Sequence, residues 1–353
     1  MSDKTSATTS LGGWLTGSWF LMSLLGALAA GMMWPDSLAI GRRWPLVPDT
    51  LVFAVIFVTA LPHDFGSIRA TVRGPGPTMV AVFINAVVVP ILAWPLSKLL
   101  PPALGLGLIV ASAVPSTIAS AAVWTRKAGG NDLIPLIVTS ITNLLCFVVT
   151  PFWIWLLGGQ RVEIGFIGLV VQLATLVLLP MMLAQFVRGI PGLAWAAERN
   201  RDSLSIAAQI GILGMVALGA AECGKQLQSG PLEGTTPWAL ARLVCIVVVL
   251  HGTALVIGQV LARRRGYARA DWIAVGFAGS QKTLMVGLHT SMLLGSGPVM
   301  LPMVAYHVLQ LVVDSWIAEQ LARTSRADPT AAVQSTSHVA RESRPSDGRI
   351  RPR

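Results

Sequence analysis

The sequence predicts an all-α membrane protein of ten transmembrane helices, arranged in two halves of five. The first observation is composition, because 54% of the 353 residues are hydrophobic, 12% are charged, and the mean hydropathy is +0.67. Soluble domains do not have such a composition. The second observation is a series of apolar stretches of about 20 residues, the length that crosses a bilayer. The third is the distribution of basic residues between those stretches.

The apolar stretches are separated by short polar loops, and prolines mark several of them. The second span is short and ends at Pro62, Pro90 and Pro95 are expected to interrupt the third, and a Pro-Ser-Thr sequence splits the fourth. The ten predicted spans are 14–33, 47–62, 77–100, 104–125, 133–157, 164–187, 203–222, 238–262, 271–294 and 298–322.

Basic residues indicate how these spans are oriented. With both termini in the cytoplasm, 19 of the 26 Lys and Arg residues fall in inside segments, six fall outside, and Lys282 lies within a span. This excess follows the positive-inside rule for a multi-pass protein of the inner or plasma membrane. The polar segments 1–13 and 323–353 are expected to be disordered. The arginines of 323–353 are expected either to contact anionic lipid headgroups or to be solvated.

Five spans per half would insert the two halves, 14–157 and 158–322, with opposite orientation. The fourth and ninth spans then correspond, and both contain a polar break near the centre, at 114–120 and 279–283. A broken helix frees backbone carbonyls and exposes half-helix ends, which can bind ions or anions. The matched breaks therefore predict a transporter with its binding site between the two halves.

The break in the ninth span carries the polar cluster Ser280, Gln281, Lys282 and Thr283. A lysine at the centre of a span costs roughly 2.5–3.5 kcal/mol on insertion scales, and ionisable residues there usually have a function. The alternative is a lysine that is paired only for packing.

Four segments carry a family resemblance: VPSTIASAAVWTRKAGGN (114–131), TSITNLLCFVVTP (139–151), GSQKTLMVG (279–287) and LPMVAYHVLQLVVDSW (301–316). With the ten-span layout, the chain resembles the bile acid:sodium symporter family over residues 14–322, and most closely its SBF-like branch. The resemblance implies a panel domain and a core domain, with helices 4 and 9 unwound and crossing beside the substrate and cation sites. It also implies transport of organic anions, commonly with sodium.

The chain departs from the family pattern at the cation site. The family's ninth helix typically reads Glu-x-Gly-x-Gln-Asn, whereas this chain has Phe277 in place of the carboxylate and Lys282 in place of the asparagine. Ala121 follows Ser120 where the family has asparagine. A hard cation prefers several oxygens and negative charge, so the departure weakens the expectation of sodium coupling. The remaining possible Na+ ligands are Ser120, Thr139, Asn143 and Gln281.

The first hypothesis is that the Lys282 ammonium occupies the place of that sodium ion. There it would complete the core electrostatically, attract an anionic substrate, or carry a coupling proton, since a buried lysine can exchange between charged and neutral forms. In the tenth span, His307, Gln310 and Asp314 share one helix face. Asp314 and Lys282 lie at similar depth, so we expect an ion pair or a water-bridged contact between them. The alternatives are that Asp314 caps a cytoplasmic vestibule or pairs with a loop arginine.

His307 and, with less weight, His251 are candidate proton carriers, because histidine titrates near neutral pH. The alternative for both is a hydrogen bond to a neighbouring helix. Asn85 is expected to join helices, and His289 is expected near the outer membrane surface. The candidate substrate- and ion-binding residues are Pro115, Ser116, Thr117, Ser120, Thr139, Ser140, Asn143, Ser280, Gln281, Lys282, Thr283, His307, Gln310 and Asp314.

No nucleotide-binding loop, metal motif or hydrolase nucleophile is present, so neither an enzyme nor a nucleic-acid-binding protein is expected. The expected partners are the lipid bilayer and a small anionic substrate, and the only expected cofactor is a coupling Na+ or H+. The sequence thus predicts a secondary transporter of organic anions. The alternatives are a proton-coupled carrier using Lys282 with His307 or Asp314, and a non-transporting membrane receptor. The substrate, the coupling ion and the oligomeric state stay open.

Overall fold

The computed structural model describes residues 19–37, 46–63, 75–159, 164–229, 236–295 and 297–326, and within these ranges the regular structure is entirely helical. The terminal segments predicted to be disordered lie outside the described residues, except for the end of the last helix. The helices are α1 (Trp19–Met33), α2 (Leu46–Ala60), α3 (Pro75–Ser97), α4 (Pro102–Ala113), α5 (Ile118–Lys127), α6 (Leu133–Gly158), α7 (Phe166–Arg188), α8 (Pro191–Arg199), α9 (Arg201–Ser229), α10 (Pro237–Arg264), α11 (Arg269–Ser280), α12 (Leu284–Leu294) and α13 (Leu301–Arg326).

Helices α3, α6, α7, α9, α10 and α13 are long and apolar enough to cross a membrane, and α1, α2 and α4 contain shorter apolar stretches. These helices are apolar because they face lipid as well as protein, so many large apolar side chains remain exposed on the surface. The chain is therefore a multi-pass membrane protein.

The helices pack in two groups. In the first, α9 lies along α1 and α2, and α7 packs on α2. In the second, α10 packs against α11 and α13, while α6 contacts α3, α4, α5 and α11. Small residues allow close approach within each group, as at Gly31, where an added Cβ would lie 2.6 Å from the carbonyl oxygen of Ala217. The groups meet where α12 contacts α9 and α2 and where α6 contacts α7.

Helix α3 continues through both of its internal prolines, so the expected interruption at Pro90 and Pro95 is wrong. The residues Ile84–Val88 form a π-helical turn, in which the Val89 N–H bonds the Ile84 carbonyl. Pro90 has no N–H to donate to the preceding turn. The wider turn accommodates the missing hydrogen bond, so the helix continues. Carbonyl groups in this turn become available to other helices.

The two polar breaks are present at the positions where the sequence predicts them. Helix α4 ends at Ala113 and α5 begins at Ile118, while α11 ends at Ser280 and α12 begins at Leu284. The backbone at Val114 and Gln281 is extended. The two breaks touch, because the Thr283 N–H donates to the Pro115 carbonyl over 2.9 Å.

Candidate binding site at the contact of the two helix breaks

Two serine hydroxyls from the first broken helix donate to the second. The Ser116 hydroxyl donates to the Ala278 carbonyl at 2.8 Å, and the Ser120 hydroxyl donates to the Gln281 side-chain oxygen at 2.6 Å. Ser116 and Gln281 are fully buried, and Ser120 is half-buried. The site residues that the sequence places in separate halves are thus brought into direct contact.

Lys282 is fully buried, and its ammonium is surrounded by oxygen atoms. The Nζ atom donates to the Asn85 carbonyl at 2.8 Å, to the Asn85 side-chain oxygen at 3.2 Å and to the Val114 carbonyl at 2.9 Å. An ammonium has three N–H donors, so every donor has a partner. Val114 caps the C-terminal end of α4, where the helix dipole stabilises a cation. The ammonium of Lys282 is therefore stabilised by dipoles rather than by a carboxylate.

Asn85 joins three parts of this site and accounts for most of the ammonium's contacts. Besides accepting from Lys282, its side-chain nitrogen donates to the carbonyls of Gly279 at 3.2 Å and Gln281 at 2.8 Å. Its own carbonyl is available because it lies in the π-helical turn before Pro90. Asn85 was expected only to join helices, and the sequence offers one signal for its larger role, a lone asparagine five residues before a proline within a span.

Asp314 is also fully buried, but it does not pair with Lys282. One carboxylate oxygen lies 2.7 Å from His251 Nε2, and the other accepts from the Gln281 side-chain nitrogen at 2.5 Å. The predicted direct ion pair between Lys282 and Asp314 is therefore wrong, because the ammonium is directed to α3 and α4 whereas the carboxylate contacts α10. Similar depth in the membrane does not bring two side chains together when they project from their helices in different directions.

His251 completes this second cluster from the middle of α10. Its Nδ1 lies 3.3 Å from the Ser280 carbonyl, and that carbonyl also accepts from the Tyr306 hydroxyl at 2.8 Å. The rings of His251 and Tyr306 pack edge to face, with their centroids 5.8 Å apart. His251 therefore contacts more of this site than His307 does, and the pattern that indicates it is a lone histidine in the centre of a long apolar helix.

Gln310 and His307 bind the break from α13. The Gln310 side chain accepts from the Lys282 N–H at 2.9 Å and donates to the Lys282 carbonyl at 3.0 Å. It also donates to His307 Nδ1 at 2.9 Å. Gln310 thus replaces the hydrogen bonds that the peptide of Lys282 would make in a continuous helix, and His307 has its bond within α13.

The other predicted residues are engaged locally around the first break. Thr139 donates to the Thr117 carbonyl at 3.1 Å, whereas Ser140 and Asn143 donate to carbonyls of their own helix α6. The Ser280 hydroxyl bonds within α11 to Phe277 over 3.4 Å. Apart from this cluster, His289 is buried against α2, where its Nε2 lies 2.8 Å from Asp49.

The sequence profile of the SBF-like CPA transporter family matches residues 18–323, which is most of the chain. The chain belongs to this family. The SBF-like resemblance of the four segments is thereby confirmed, and with it the assignment as a membrane transporter of small molecules.

The chain is also similar in sequence to several individual proteins. It is 33% identical to "Uncharacterized protein PA2026" of Pseudomonas aeruginosa over 243 residues, which are 67% of this chain and 71% of that protein. It is 27% identical over 336 residues to "Probable sodium/metabolite cotransporter BASS4, chloroplastic" of Oryza sativa subsp. japonica, covering 88% of this chain and 78% of that protein. It is 23% identical over 216 residues to "Sodium/bile acid cotransporter 7" of Rattus norvegicus, covering 59% and 62%.

Proposed function

We propose that the protein is a secondary transporter that moves a small organic anion by alternating access, and that the Lys282 ammonium occupies the place of a coupling sodium ion. The observation that carries the proposal is the oxygen cage around Lys282 Nζ, which consists of two carbonyls and one amide oxygen at 2.8–3.2 Å. Carbonyl and amide oxygens are the ligands that hard cations take in proteins. The substrate class follows the names of relatives that are cotransporters of sodium with a metabolite or a bile acid.

The proposed topology has ten spans, with α4 and α5 as halves of the fourth and α11 and α12 as halves of the ninth. The repeats are then 14–157 and 158–322, inverted with respect to each other, and both termini are on the cytoplasmic side of the cell membrane. Support comes from the basic residues between spans and from the helix packing. The group α1, α2, α7 and α9 draws two spans from each proposed repeat and would be the panel; the other group would be the core.

Electrostatics favours an ammonium over a bound metal cation at this position. A second positive charge close to Lys282 would be repelled by roughly 4 kcal/mol at 4 Å for an effective dielectric of 20. Gln281 offers less to a sodium ion as well, because its oxygen already accepts from Ser120 and its nitrogen donates to Asp314. Transport is therefore expected to proceed without sodium.

The test is tracer uptake into proteoliposomes containing the purified full-length protein. A panel of organic anions that includes a bile acid is measured under a sodium gradient, a proton gradient and neither gradient. The proposal expects uptake of at least one anion with the same rate in sodium and in choline buffers. Uptake that requires sodium would overturn the role of Lys282, and the absence of any flux from folded protein would favour the membrane receptor.

A further inference from the structure

We propose that the buried pair His251–Asp314 is the binding site for a coupling proton, and that its occupancy is transmitted to the helix break through Ser280 and Gln281. The inference rests on the proposed transport function and adds the coupling ion. Protonation of this pair would accompany the anion in symport, one proton for each turnover.

The first argument is the separation of two buried charges. In the part of the chain that the structure describes, Lys282 is the only buried Lys or Arg and Asp314 is the only buried Asp or Glu. They are not paired, and Lys282 has all of its donors on neutral oxygens. Burying an unpaired carboxylate is strongly unfavourable, so Asp314 needs its own positive partner or its own proton. His251 is the titratable group in contact with it.

The second argument is the number of protons that the geometry requires. The Ser280 carbonyl can only accept, so a hydrogen bond over the 3.3 Å from His251 Nδ1 places a hydrogen on that nitrogen. The 2.7 Å contact between Nε2 and the Asp314 carboxylate requires a second hydrogen, because two lone pairs at that distance repel. With both bonds made, the pair holds two protons and is neutral overall, either as imidazolium with carboxylate or as imidazole with carboxylic acid.

Loss of one proton to water leaves imidazole with carboxylate and a net charge of −1. The single remaining ring hydrogen can then serve either Ser280 or Asp314, but not both. One of the two bonds must be given up whenever the proton leaves. Binding and release of a proton thus change the contacts of this cluster by necessity.

The third argument is where these contacts lead. Ser280 is the last residue of α11, and Gln281 is the first residue of the break. Gln281 donates to Asp314 and accepts from Ser120 of α5, so it connects the carboxylate to the other broken helix. A change of charge on Asp314 therefore acts directly on the contact between the two breaks, which is the part of the molecule proposed to bind the substrate.

Few other titratable groups face the pair from the surrounding helices. Tyr306 donates to Ser280, and Lys282 donates to the oxygens around its ammonium. Among the buried histidines, His307 bonds Gln310, and His289 of α12 contacts Asp49. The charged residues towards the ends of the neighbouring helices are exposed or half-exposed: Arg126 and Lys127 of α5, Arg269 and Asp271 of α11, and Glu319 and Arg323 of α13.

The test separates proton binding from transport. Infrared difference spectra of the reconstituted wild-type protein, without substrate, are recorded between roughly pH 5 and pH 8, the range in which histidine titrates. We expect carboxyl and imidazole bands that change with pH, and their loss in Asp314→Asn and in His251→Gln. The matched control is His289→Gln, a buried histidine on α12 that lies apart from this cluster and should keep the bands of the pair. Unchanged bands in Asp314→Asn and His251→Gln would overturn the proposal.

The second arm uses whichever anion the uptake panel identifies. Wild-type and His289→Gln proteins should accumulate it in response to an inward proton gradient. His251→Gln should lose that response but retain exchange of internal for external anion, because exchange needs no net movement of protons. Accumulation by His251→Gln that still follows the proton gradient would contradict the proposal. If no anion is transported, the proposed function fails while the infrared arm still decides whether the pair binds a proton.

Discussion

Two charged side chains are buried around the break between α11 and α12, and they are stabilised in different ways. Lys282 is surrounded by carbonyl and amide oxygens that cannot change their charge, whereas Asp314 contacts a histidine that can. We propose that the first arrangement stays constant during transport and that the second exchanges a proton. The comparison suggests that Lys282 holds the helix break in place, while protonation of the His251–Asp314 pair changes its contacts.

The largest expected effect comes from removing the fixed charge. Lys282→Met introduces an unbranched apolar side chain and leaves three buried oxygens without donors. Each unsatisfied group costs about 1–3 kcal/mol. We expect loss of transport and a lower unfolding temperature in lipid. Lys98→Met, the same substitution at an exposed lysine packed over Trp94, is the matched control and should leave both unchanged. Full transport activity of Lys282→Met would show that the buried ammonium is not needed.

A smaller loss is expected when the cage rather than the charge is altered. Asn85→Leu has a similar volume but removes one oxygen from the ammonium and both donors from the carbonyls of Gly279 and Gln281. The Asn85 carbonyl remains, so Lys282 keeps two of its three partners. We expect destabilisation by about 1–3 kcal/mol for each group left without a partner, measured as a shift in denaturation midpoint, with reduced but measurable uptake. Loss of uptake as complete as in Lys282→Met would show that the two remaining carbonyls cannot hold the ammonium in place.

A gain of sodium dependence would sharpen the comparison further. The double variant Phe277→Glu, Lys282→Asn restores the carboxylate and the amide of the family pattern and removes the internal cation. Sodium should then stabilise the protein by about 2.7 kcal/mol at a concentration 100 times its dissociation constant. The measurement is the unfolding temperature in sodium against choline, with Phe277→Glu alone as control. Equal temperatures in both salts would show that Lys282 does not stand in for a cation.

The smallest effect is expected at the other His–Asp pair, His289 with Asp49. Here the carboxylate side chain is 39% exposed, so water screens the interaction, and such pairs contribute about 0–1 kcal/mol. Asp49→Asn should change stability within that range and leave the response of uptake to a proton gradient intact. Loss of that response would show that a His–Asp pair can couple uptake to protons even when its carboxylate is partly exposed.

The positions of the breaks and the presence of Lys282 and Asp314 were readable from the sequence, because proline and charge stand out within apolar spans. The residues that contact Lys282 and Asp314 could not be predicted from the sequence. Position along a helix gives the depth of a side chain but not the neighbour it faces, so Lys282 was assigned to Asp314 rather than to Asn85. The π-helical turn of α3 was unpredictable for a related reason, since its free carbonyl is stabilised by a residue nearly 200 positions away.

That turn also determines how α3 can move. Its consecutive carbonyls at Asn85 and Ala86 are bound from two sides, by Lys282 at 2.8 Å and by the Trp153 indole of α6 at 2.6 Å. Rotating α3 about its axis by a single residue would break both bonds at once. We therefore expect a conformational change to move α3, α6 and the break between α11 and α12 together.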